Sequence, residues 1–89
     1  MTARALAIVN AKGLHARASA RFVEVVERFD ARAEVTRDGM TVSGDSIMGL
    51  LMLAASRGTT IEVRCTGAEA EALLEALTAL VADKFGEDY

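Results

Sequence analysis

The dipeptide Asp38-Gly39 constrains this chain more than any other feature, because it separates two runs in which apolar and polar residues alternate. On one side Ala33 and Val35 alternate with Arg32, Glu34 and Thr36, and on the other stand Met40 and Val42. Asp-Gly tolerates the left-handed backbone that a two-residue hairpin loop needs, so the two runs are predicted to pair as antiparallel strands. A hairpin with one apolar face is not stable alone and must be covered.

The flanking segments supply that cover. Leu6 and Ile8 alternate with Ala5, Ala7 and Val9 in a first strand, Ala3 to Val9, which ends in the breaker cluster Asn10 to Gly13. From Ala16 to Phe29, Ala16, Ala20, Val23 and Val26 follow helical spacing with Phe22 and Phe29 at the edge of the stripe, and Arg17, Arg21, Glu24 and Arg28 lie opposite. Ile47 to Ser56 is too apolar for an exposed helix and is expected to form a short, mostly buried one, closed by Arg57-Gly58. Thr60, Glu62 and Arg64 alternate with Ile61, Val63 and Cys65, the pattern of a half-buried strand. After Thr66-Gly67, Leu73, Leu77, Leu80 and Val81 mark a last helix, with Glu69 and Glu71 in its first turns and Lys84 near its last, as the helix dipole favours. The predicted order is βαββαβα. It implies an open-faced α/β sandwich, a four-stranded antiparallel sheet with three helices on its apolar face, in a single domain over residues 1–89.

Composition removes several classes of function. The 89 residues exceed the roughly 40 below which disulfides or metals usually become necessary. One Cys and one His can build neither an internal disulfide nor a four-ligand His/Cys zinc site, which leaves only carboxylate-rich metal sites open, and the expectation is a chain without metal or other cofactor. Cys65, on the apolar face of its strand, reads as an inert core residue. A net charge of −3 argues against a general nucleic-acid binder. The longest apolar run, Ile47 to Ala55, falls far short of the roughly 20 residues that span a bilayer, and no signal peptide is legible. We expect a cytoplasmic, monomeric protein without membrane insertion.

Chemistry is concentrated at the start of the first helix. The last helix opens with acids, whereas this one opens with His15, Arg17 and Arg21, cations at the positive end of the dipole. Such a violation is expected at a functional site. Free N–H groups at a helix N-terminus, together with an arginine fork, form a ready site for phosphate. Lys12-Gly13-Leu14 lets the chain turn tightly before the helix, which places His15 at the cap, exposed beside that site. Its ring is then a candidate nucleophile for a phosphoryl group, with Arg17 and the amides of Ala16 and Arg17 holding the charge. One His-x-Arg pattern is equally compatible with a polar cap on a solvated face, or with a module that binds an anion or a partner without covalent transfer. Ser46, directly before an apolar helical run, is a preferred N-cap. The run behind it cannot be buried all round, so part of Ile47, Met48, Leu51 and Met52, above all Ile47 and Met48, is expected to form a partner-docking patch.

Asn10-Ala11-Lys12-Gly13-Leu14-His15-Ala16-Arg17-Ala18-Ser19-Ala20 resembles the active-site signature of the HPr family, the histidine-containing phosphocarriers of the bacterial phosphotransferase system. Gly44-Asp45-Ser46-Ile47-Met48-Gly49-Leu50-Leu51 resembles the regulatory serine region of the same family, at the expected distance. The resemblance covers essentially the whole chain. It implies that His15 is phosphorylated through Nδ1 by enzyme I, itself charged from phosphoenolpyruvate, and that the group passes to IIA proteins. It also implies that Arg17 is the partner residue in transfer and that Ser46 is a target of an HPr kinase/phosphorylase. Residues 50–53 and the stretch from Ile61-Glu62 to Thr66-Gly67 also look like the nitrogen-related regulatory branch, so the sugar-transport and regulatory branches both stand. Many members carry Pro after the His-Ala-Arg triplet, where this chain has Ala18; Pro would have fitted that first turn.

Overall fold

The computed structural model describes residues 1–88. The elements run β1 (Thr2–Ala7), α1 (Ala16–Glu27), β2 (Arg32–Arg37), β3 (Met40–Ser43), α2 (Ile47–Met52), β4 (Thr60–Thr66) and α3 (Ala70–Ala82), followed by a 3₁₀ turn, Lys84–Gly86. The order is the predicted βαββαβα. The four strands form one antiparallel sheet in the order β1-β4-β2-β3, with β4 between the first strand and the hairpin.

The hairpin forms as the sequence demands. Arg37 pairs with Met40, and Asp38 and Gly39 take φ values of 50° and 81°, the left-handed pair of a two-residue loop. On β4 the alternation is complete, with Ile61, Val63 and Cys65 buried and Thr60, Glu62, Arg64 and Thr66 exposed. Leu6, Ile8, Ala33 and Val35 complete the apolar side of the sheet, onto which Phe22, Val23, Val26, Leu73, Leu77 and Val81 of the helices contribute to one buried cluster. Burial raises the pKa of the Cys65 thiol, which keeps it in the inert protonated form.

Three features differ from expectation. The first strand ends at Ala7 rather than Val9, although the Ile8 N–H still donates to the Thr59 carbonyl and the Ile8 carbonyl accepts from Gly58, both at 2.9 Å. In α1 the buried stripe is centred on Ala18, Phe22 and Val26, so Ala16 is exposed and Phe22, expected at the edge, is wholly enclosed. The largest correction concerns α2, which stops at Met52 instead of reaching Ser56 and buries only Leu50. A helix this short has one inward position per turn, so an apolar run around it must leave residues in solvent. Leu53 and Ala55 are buried beyond the helix, and Ala54 between them takes a positive φ of 50° that turns the chain toward the loop ahead of α1. Among the described residues no helix is long and apolar enough to cross a membrane.

Candidate functional site

The loop between β1 and α1 is shaped by residues that have nowhere else to go. Asn10 is fully buried and donates from Nδ2 to the Gly13 carbonyl at 2.8 Å. Gly13 lies at φ 64°, and a Cβ there would sit 2.4 Å from the Ala55 carbonyl oxygen and 2.8 Å from Ser56 Cα, so only glycine allows this approach. Leu14, also buried, donates its N–H to the same Ala55 carbonyl at 2.9 Å. Ser19 Oγ donates to the Leu14 carbonyl at 3.3 Å. The loop is thereby clamped between the body of α1 and the turn that follows α2.

The clamp delivers His15 to the N-cap of α1, in an extended backbone conformation. Its carbonyl accepts from the Ser19 N–H at 2.8 Å, but its side chain makes no capping hydrogen bond, and no acid occupies the first turn. The first-turn amides, those of Ala16 and Arg17 included, therefore lack a side-chain cap. The ring is less open than expected, with its side chain 24% exposed, because Nε2 lies 2.5 Å from Oε2 of Glu87.

Glu87 is the residue that sequence reasoning missed. After α3 the chain passes Lys84 and Phe85, both at φ 56°, buries Phe85 completely, and turns at Gly86, where a Cβ would come within 2.9 Å of Arg21 Nη1. Glu87 then points into the site with its side chain only 3% exposed. Its other oxygen, Oε1, accepts from Asn10 Nδ2 at 2.9 Å. The Asn10 amide could not be reversed without setting its oxygen against two acceptors, so its Oδ1 is left buried and without a partner. Desolvation would raise the pKa of Glu87. The hydrogen bonds from Asn10 and His15, with the charges of His15 and Arg17, outweigh it and hold the carboxyl below its ordinary value.

The other expected residues fall into two groups. Arg17 is exposed on the first turn of α1, close enough for its charge to act on Glu87. A shallow depression of about 200 Å³ beside the ring is lined by Lys12, Leu14, His15, Ala54, Ala55 and Ser56. Ser46 caps α2, its Oγ accepting from the Gly49 N–H at 3.0 Å. Behind it Ile47, Met48 and Met52 are 40%, 71% and 66% exposed, Leu51 is half-buried, and α2 packs on α1. Among the described residues no group of three or more His, Cys, Asp or Glu could hold a metal ion.

Fold and site together define a small α/β domain that presents a histidine beside an uncapped helix N-terminus, with an acidic group behind the ring. Residues 2–83 match the family model described as "PTS HPr component phosphorylation site". The phosphocarrier protein HPr of Neisseria meningitidis serogroup A is 44% identical over 98% of both chains, and that of Cupriavidus necator is 40% identical over the same shares. The crystal structure of HPr-C-His from Thermoanaerobacter tengcongensis superposes with a TM-score of 0.95 at 35% identity over 100% of both chains. For an HPr crystal structure from Bacillus anthracis the TM-score is 0.86 at 39% identity, over 90% of this chain and 95% of the other. The chain belongs to the HPr family of phosphocarriers of the phosphotransferase system. Glu87 lies outside the residues that the family model matches.

Proposed function

We propose that this chain, acting as a single domain, accepts a phosphoryl group on Nδ1 of His15 from phosphoenolpyruvate-charged enzyme I and passes it to IIA proteins. The observation that carries the reading is the position of His15, at an uncapped helix N-terminus with Nε2 already engaged by Glu87, which leaves Nδ1 as the free nitrogen. The amides of Ala16 and Arg17 and the Arg17 guanidinium would then hold the charge of the transferring group. Transfer between two histidines needs no cofactor, only alignment across a docked interface and stabilisation of the phosphoryl oxygens. The exposed Ile47, Met48 and Met52, with half-buried Leu51, supply an apolar docking face that the donor and the acceptor would share.

Ser46 is proposed as a regulatory site, modified by an HPr kinase/phosphorylase. Its phosphate would stand beside Asp45 and directly before Ile47 and Met48, and would charge a surface that docks by burying apolar groups. Incubation with phosphoenolpyruvate and enzyme I, followed by intact mass and an acid-lability check, tests the central reading. An acid-labile phosphate that disappears in His15→Ala is the expected result. Absence of the modification under conditions that charge enzyme I would instead favour a module that only binds anions.

A further inference from the structure

We propose that Glu87, oriented by Asn10, is a positioning residue for His15 that keeps a proton on Nε2 and stabilises the positive charge the ring acquires when Nδ1 takes a phosphoryl group. This rests on the phosphocarrier reading and deepens it. The Glu87 side chain is only 3% exposed, one oxygen is fixed by Asn10 Nδ2 at 2.9 Å, and the other faces His15 Nε2 at 2.5 Å. Asn10 is in turn fixed by the Gly13 carbonyl at 2.8 Å, within the loop that delivers His15. The three side chains form a linear relay whose last member is the nucleophile, with the carboxylate on the nitrogen opposite the reacting one. With the carboxyl held in its ionised form, the oxygen can only accept, so the hydrogen of the contact belongs to Nε2.

The step balances without moving a proton. In the neutral ring Nε2 carries hydrogen and Nδ1 carries the lone pair. That pair forms the new N–P bond while the bond from phosphorus to the donor's atom breaks and the donor keeps its electron pair. The ring, now bonded at both nitrogens, becomes a cation whose charge is shared with Nε2 against the Glu87 carboxylate. An acid fixed behind a histidine supplies such stabilisation without reorganisation during the step. The return transfer reverses it, and the ring leaves neutral with its proton still on Nε2.

The segment that carries Glu87 is built for placement. Lys84 and Phe85 both adopt left-handed backbone, and the complete burial of Phe85 anchors the segment in the core.

Nitrogen-15 NMR of the unmodified protein and transfer kinetics with charged enzyme I together test the proposal. The wild-type ring is expected to populate the Nε2–H form, Glu87→Gln to retain that form yet accept phosphoryl groups roughly 10- to 100-fold more slowly, and Glu87→Ala to lose both the preference and the rate. Melting curves establish that the variants are folded. A wild-type ring protonated mainly on Nδ1 overturns the proposal, whatever the variants do. Wild-type rates in folded Glu87→Gln and Glu87→Ala overturn it as well, while wild-type phosphorylation leaves the carrier reading standing. A wild-type protein that accepts no phosphoryl group would instead sink the carrier reading itself.

Discussion

Arg17 stands exposed at the mouth of the site, and among the described residues its guanidinium makes no hydrogen bond or ion pair, so its fork is open to phosphoryl oxygens. An ammonium cannot reproduce that planar two-point grip. Arg17→Lys should therefore slow transfer while leaving the melting temperature unchanged, and equal rates in stopped transfer assays would remove Arg17 from the mechanism. Glu87 adds a pH signature. Its carboxyl is held below the ordinary glutamate value in the folded state, so the contribution it makes to stability is complete above the unfolded value, about pH 4.3, and is lost as pH falls through the folded one. Thermal melts should show wild type losing stability relative to Glu87→Gln as the solution is acidified through that range, and a constant difference would contradict the pairing. A cation at a positive helix end breaks a local rule and marks His15 and Arg17 in the sequence, while their proposed roles came from the resemblance to the HPr signature rather than from spacing. Glu87 was not legible, because its contact with His15 spans 72 residues and leaves no periodic trace.

At the scale of elements, β4 and the hairpin could be read almost residue by residue, since alternation and turn chemistry are local. The short α2 misled because an apolar run of this kind is common to buried helices and docking faces, and only tertiary packing distinguishes them. Leu50 alone is enclosed within α2, while the cap Ser46 holds its first turn through Gly49. Ser46→Ala should cost about 1 kcal/mol, a loss of about 4–8 °C in melting temperature for a domain of this size. Ser46→Asp keeps an acceptor and adds negative charge at the positive end of α2, so stability should be kept or slightly raised. Its transfer from enzyme I should nevertheless weaken, chiefly through binding, because Ile47 and Met48 follow directly. Slowed transfer with lost stability would point to a folding defect, and unchanged kinetics would leave Ser46 as a cap only.

For the molecule as a whole, the site joins the two ends of the described chain, for Asn10 and His15 follow β1 while Glu87 follows α3. The anchor on the second side is Phe85, wholly buried in the same cluster as Leu6, Phe22 and Leu77. Two left-handed residues in succession, Lys84 and Phe85, cost about 1–2 kcal/mol each, an amount that burial of the Phe85 ring, about 1.5–3 kcal/mol, roughly offsets. Phe85 is therefore the apolar anchor of a segment otherwise held by the polar contacts of Glu87 with Asn10 and His15, and loosening that anchor should misplace Glu87 before it unfolds the domain. Phe85→Leu and Leu73→Val trim the same core and should each cost about 1–2 kcal/mol, a modest share of the roughly 5–15 kcal/mol typical of such domains. Only Phe85→Leu should also slow phosphoryl transfer and weaken the preference of His15 for hydrogen on Nε2, since Leu73 lies on the first half of α3, remote in sequence from the turn. Denaturant melts paired with transfer rates on both variants test this coupling. If the two lose stability alike and transfer at the same rate, Phe85 packs the core without positioning Glu87; if rate falls in step with stability in both, the site depends on the fold in general rather than on this anchor.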